Sequence, residues 1–127
     1  MRRVLIADDD EILVELVRLQ LEAAGYDVAV ARDGERALEA VRDVRPDAVI
    51  LDAMMPVMNG QEVLRALRAD PAFAELPVMM LTARKGQEDI VTFLSSGANE
   101  YLTKPFIPQE LLLRLEMMLR NALRKTG

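Results

Sequence analysis

The chain has 127 residues, 51% of them apolar and 29% charged, with a net charge of −5. That suits one compact domain with a real core and disfavours nucleic acid as a direct partner. It holds no cysteine and no histidine, which excludes disulfides, thiolate or imidazole metal sites, thiol nucleophiles, Ser-His triads and a phosphohistidine of its own.

Arg2-Arg3 precedes an apolar run at residues 4–7. The run is too short for a signal-peptide core or a membrane span, so the expected location is the cytoplasm. It predicts a first buried strand that runs straight into Asp8-Asp9-Asp10. Ile12, Leu13, Leu16 and Val17 follow at helical spacing, and Gly25 closes that helix. Residues 27–31 form a weaker strand, expected at a sheet edge, and Asp33-Gly34 marks a turn. Ala37, Leu38 and Val41 define a second helix that stops before Pro46.

Residues 48–51 are continuously apolar and end in the carboxylate of Asp52, the pattern of a central strand buried on both faces. Asn59 is placed to cap a third helix that turns Val63, Leu64 and Leu67 inward and Arg65 and Arg68 outward. Pro77 introduces a fourth strand, residues 78–81, ending at Thr82. A fourth helix carries Ile90, Val91 and Leu94, and a fifth strand leads from Glu100 through Tyr101 to Lys104-Pro105. The last helix opens with Pro108 and runs to about Arg124. Its core stripe is Leu111, Leu115, Met118 and Ala122, which leaves Leu113 and Met117 on the far side. Five strands alternating with five helices predict an α/β, doubly wound (βα)5 fold with a parallel five-stranded sheet in the order 2-1-3-4-5.

Parallel strands end on one edge. Asp8 and Asp9, Asp52, Thr82 and Lys104 should therefore converge, at or beside the switch point between strands 1 and 3. Three carboxylates repel one another there, and Mg²⁺, which prefers oxygen ligands, resolves the conflict. An ammonium and a hydroxyl beside the metal are the parts that stabilise phosphoryl transfer to a carboxylate. Taken singly, each residue has a plainer reading: Asp10 as a helix cap, Thr82 as a cap, Lys104 as a solvated lysine. The combination is what is specific.

DD after the first strand, D-x-x-M-P-x-M-x-G from Asp52, T-A at Thr82 and K-P-F at Lys104 resemble the receiver domain of bacterial two-component response regulators. The resemblance covers residues 1 to about 120. It implies a flavodoxin-like fold and one receiver domain spanning 1–127, in which about 121–127 is a tail or the start of a linker. It implies that Asp52 is phosphorylated by a sensor histidine kinase or phosphotransfer protein, and that the chain is no enzyme beyond its own phosphorylation and slow autodephosphorylation. Asp9 and Asp52, with Asp8 mostly through water and the backbone carbonyl of Met54, would bind Mg²⁺. Thr82 and Lys104 would contact the phosphoryl group. Tyr101 matches the aromatic switch position, and Pro105 the family's cis-proline. A surface formed by the fourth helix, fifth strand and fifth helix would then meet a downstream target or effector domain, or a second copy in a homodimer.

Departures from the family pattern carry expectations too. Met54 and Arg84 stand at positions that tune phosphoryl lifetime, and neither can accept a proton from an attacking water. Ile90 replaces a basic residue of the dimer pattern, whose other partners align with Asn99, Glu100, Glu110 and Arg114. A Mg²⁺-dependent phosphohydrolase would need an acid where Met54 stands. A flavin-binding domain would need a phosphate loop where three aspartates stand. An unphosphorylated adaptor would not need the complete acceptor set.

Overall fold

The computed structural model describes residues 2–83, 91, 95 and 97–126, with side chains up to 122. Five parallel strands, β1 (Arg3–Ala7), β2 (Asp27–Ala31), β3 (Ala48–Asp52), β4 (Val78–Ala83) and β5 (Glu100–Lys104), form one sheet in the order β2-β1-β3-β4-β5. The described helices are α1 (Glu11–Ala23), α2 (Gly34–Val44), α3 (Gly60–Ala69) and α4 (Pro108–Thr126), the last of those predicted. Of the predicted helix around Ile90, Val91 and Leu94, only Val91 falls among the described residues. The doubly wound topology and strand order are as expected, and β2 lies at an edge.

Helices cover both faces, which is why the inner strands read as unbroken apolar runs. On one face Leu5, Val49, Leu51, Val78 and Met80 pack with Ala37 and Val41 of α2 and Val63, Leu64 and Leu67 of α3. On the other, Val4, Ile6, Ile50, Met79 and Leu81 pack with Val14, Val17 and Leu21 of α1 and Leu111, Leu115, Met118 and Leu119 of α4. Caps set the helix starts. Asp10 accepts from the N–H groups of Ile12 and Leu13. Asp33, marked in the sequence only as a turn, accepts from Arg36 N–H. Asn59 and Glu62 exchange hydrogen bonds of 2.9 and 3.1 Å in a reciprocal box. Gly25, at φ +96°, follows the end of α1.

Three expectations need correction. Ile12 and Leu16 do not face the core; they are 76% and 55% exposed, and the inward stripe of α1 is Val14, Val17 and Leu21. Both stripes have helical spacing, and only one meets the sheet. Arg68 does not point outward. It folds over the end of α3, where Nε and Nη2 donate to the Gly97 carbonyl at 3.0 and 2.8 Å, Nη1 to the Phe73 carbonyl at 3.0 Å, and Nη2 to Asn99 Oδ1 at 3.0 Å. On α4, Leu119 joins the core stripe while Ala122 is half-buried. Leu113 and Met117 are exposed, as their spacing predicts.

Candidate functional site

The strand register brings the predicted residues to one edge. Ala7 pairs with Leu51, so Asp8 and Asp52 stand level on neighbouring strands. Asp52 pairs with Leu81, one step before Thr82, and Ala83 pairs with Lys104. Side chains alternate along a strand. Asp8, Asp52 and Lys104 share the parity of Ile6, Ile50 and Leu102, all on the α1/α4 face. Thr82 and Tyr101 fall on the opposite face, where Tyr101 packs half-buried against the α2/α3 core.

Lys104 joins the first group into one electrostatic unit. Its Nζ lies 3.0 Å from Asp8 Oδ2 and 3.3 Å from Asp52 Oδ1. Asp8 has no exposed surface and Asp52 is 5% exposed. Asp8 Oδ1 also accepts from Asp10 N–H at 2.9 Å, and Asp52 Oδ1 accepts from Met54 N–H at 3.3 Å. Asp9 is exposed, so it can reach a solvated ligand. Burial first, and then the charge of Asp8, push the Asp52 carboxyl up to about 6, against the pull of Lys104 and the Met54 N–H. Burial works against the Lys104 ammonium, but its hydrogen bonds to Asp8 and Asp52 and their charges outweigh that and raise it.

One carboxylate oxygen from each of Asp8, Asp9 and Asp52 can be chosen so that all three lie within 4.8 Å of one another. An all-oxygen set with a single lysine against three acids fits a hard divalent cation. The Thr82 side chain is 4% exposed, and its hydroxyl donates to the Ala83 carbonyl at 3.2 Å. The Lys104-Pro105 bond is cis. Met54 is 73% exposed at the rim. Arg84 lies outside the described residues. A groove of about 440 Å³ adjoins the site, lined among others by Ile12, Leu13, Leu16, Lys104, Phe106 and Pro108. The apolar spacing of Ile12 and Leu16 was visible in the sequence, but their membership of this groove was not.

Residues 4–116 match the sequence family described as response regulator receiver domain. The chain belongs to this family. It is 48% identical over 120 residues to the DNA-binding response regulator MtrA of Mycolicibacterium paratuberculosis, an alignment covering 94% of this chain and 52% of that protein. A crystal structure of a putative response regulator from Chloroflexus aurantiacus superposes with a TM-score of 0.89 at 39% identity, covering 94% of this chain and 98% of that one. The chemotaxis response regulator CheY4 of Vibrio cholerae superposes with a TM-score of 0.88 at 36% identity, covering 93% and 98%. The receiver spans about half the length of the curated relatives it matches. Among the described residues, no helix is long and apolar enough to cross a membrane.

Proposed function

We propose that Asp52 of this receiver accepts a phosphoryl group from a phosphohistidine on a sensor histidine kinase or phosphotransfer protein. The observation that carries this reading is the contact of Lys104 Nζ with both buried carboxylates, 3.0 Å from Asp8 and 3.3 Å from Asp52. An oxygen of ionised Asp52 attacks phosphorus, the P–N bond to the donor imidazole breaks, and the imidazole recovers a proton from solvent. Lys104 is placed to pair with the new phosphoryl oxygens, and Thr82 would turn its hydroxyl from the Ala83 carbonyl toward them. Asp8, Asp9, Asp52 and the backbone carbonyl of Met54 would hold Mg²⁺, which supplies positive charge for the equatorial oxygens. Ile12 and Leu16 line a groove together with Lys104, which contacts Asp52, so a donor protein reaching Asp52 would have this groove within reach.

The modified state would shift an existing equilibrium. Tyr101 would follow Thr82, with which it shares a sheet face, and the surface built from the fourth predicted helix, β5 and α4 would change its affinity for an effector domain or a second copy. Leu113 and Met117 add exposed apolar area there. Arg114 already pairs within the chain with Glu100 at 3.3 Å and Glu110 at 3.4 Å. A dimer that uses these charges must therefore re-partner them. The test is intact-mass measurement after incubation with a small acyl phosphate. One phosphoryl adduct is expected, and it should be lost without Mg²⁺ and in Asp52→Asn. Equal labelling of Asp52→Asn would overturn the assignment.

A further inference from the structure

The loop between β3 and α3, residues 53–59, is clamped at both ends. Gly60 N–H donates to the Ala53 carbonyl at 3.1 Å, and Ala53 N–H donates to the Leu81 carbonyl on β4 at 2.8 Å. A Cβ on Gly60 would stand 2.3 Å from the Asp52 carbonyl oxygen. The second clamp comes from α2. A Cβ on its first residue, Gly34, would stand 1.9 Å from the Met58 carbonyl oxygen and 2.6 Å from the Met58 carbonyl carbon. Those are backbone atoms, which cannot swing aside as a side chain can. Between the clamps, Met58 N–H donates to the Pro56 carbonyl at 2.8 Å across Val57, whose φ is 71°. This is the positive-φ form of the γ-turn, which is rare and strained, and a β-branched residue seldom occupies it. Such a conformation persists only when its surroundings over-determine it.

We infer that Gly34 is a positioning residue for the cation site. Gly34 presents no side chain to Met58, so α2 can hold the turn at a φ that Val57 does not favour, and the loop held in this way sets where the Met54 carbonyl stands against Asp8, Asp9 and Asp52. The inference rests on the metal-binding reading above. A methyl group on Gly34 must push Met58 away from α2. The loop is short and closed between Ala53 and Gly60, so the push reaches Met54. Mg²⁺ demands near-octahedral oxygens at about 2.0–2.1 Å, whereas Ca²⁺ tolerates longer and more variable geometry. A displaced carbonyl therefore costs Mg²⁺ affinity more than Ca²⁺ affinity. Val57→Gly acts differently: glycine adopts φ > 0 without strain, so the turn keeps its conformation and the strain is relieved.

The experiment titrates the metal-free chain with Mg²⁺ and Ca²⁺ by isothermal calorimetry, with thermal unfolding in EDTA measured alongside. Gly34→Ala should weaken Mg²⁺ binding by about tenfold, in the range known for outer-shell changes at metal sites, and Ca²⁺ binding by less. Val57→Gly should keep Mg²⁺ affinity at or above the parent's, with its metal-free midpoint at or above the parent's too. Leu119→Ala, in the core cluster behind α4, should lose stability and keep its Mg²⁺ affinity. A folded Gly34→Ala chain that binds Mg²⁺ and Ca²⁺ as the parent does overturns the assignment. If Gly34→Ala does not fold alone, it is tested in the Val57→Gly background, whose relieved turn adds stability, and parent-like binding there overturns the assignment equally. Asp52→Asn should abolish Mg²⁺ binding; parent-like binding in that variant would overturn the metal-site reading itself, an outcome separate from that of Gly34.

Discussion

Replacing Asp52 with Asn should make the metal-free protein more stable at neutral pH. The carboxyl is buried beside Asp8, and it is pushed from 3.8 up to about 6 despite Lys104 and the Met54 N–H. The folded state therefore holds this proton more tightly than the unfolded chain does. Folding takes up a proton between those two values, so the stability that the group contributes falls as pH rises through that window. The gap is roughly two units at about 1.36 kcal/mol each, so ionised Asp52 costs about 3 kcal/mol above the window. Asparagine keeps the shape, still faces Lys104 and never ionises, and Lys104 retains Asp8 at 3.0 Å. The variant should gain about 3 kcal/mol at about pH 7.5, or about 10 °C in midpoint for a domain of this size, and lose the advantage near about pH 4. Saturating Mg²⁺ should reverse the order, because a ligand that binds only the native state stabilises by mass action. Urea unfolding in EDTA followed by far-UV circular dichroism suits a chain without tryptophan. A variant no more stable than the parent at neutral pH, or one whose advantage persists unchanged into acid, would refute the reasoning.

Three further outcomes are expected. Lys104→Met leaves the fully buried Asp8 without its cation and should cost about 3 kcal/mol in the absence of metal; a loss below about 1 kcal/mol in urea unfolding would mean that water replaces the ammonium. Arg68→Ala removes the donor to Gly97, Phe73 and Asn99 and should cost about 2 kcal/mol, with Arg68→Lys recovering less than half because an ammonium cannot span three acceptors held by a planar fork; equal stability of the three proteins would place the guanidinium in water. Phosphoryl decay, read by intact mass at saturating Mg²⁺, should be slower in the parent than in Met54→Asn with Arg84→Glu, since the parent side chains offer no acceptor for the attacking water; a double variant that decays no faster would show that these positions do not control water access.

The sheet and the acidic edge were legible because both are written in local runs. A strand buried on both faces must be continuously apolar, and the residue that ends it stands at the edge where the site lies. That suffices to place Asp8, Asp52 and Lys104 together. Their shared parity on the sheet, which separates them from Thr82 and Tyr101, came only with the strand register and the packed faces. What was misread required knowing which neighbour arrives. Helix α1 has one apolar stripe through Ile12 and Leu16 and another through Val14, Val17 and Leu21, with equal periodicity. The sheet takes the second, and the first is left exposed, lining the groove beside Lys104.

Arg68 carries the same lesson at longer range. On a helical wheel it is one more basic residue near a helix end, ready for solvent. The carbonyl that fixes it belongs to Gly97, 29 positions away. Gly97, at φ +103°, eases that approach, because a Cβ there would crowd the Arg68 side chain at 3.0 Å. Gly34 is the mirror case, since its missing Cβ admits the backbone of Met58. A glycine in sequence announces freedom or closeness without saying which partner needs it. In this chain the contacts of Gly34 and Gly60 converge on the loop that follows Asp52. The side chains that define the acceptor were therefore readable from strand ends, while the residues that hold its loop in place became visible only once the helices were packed.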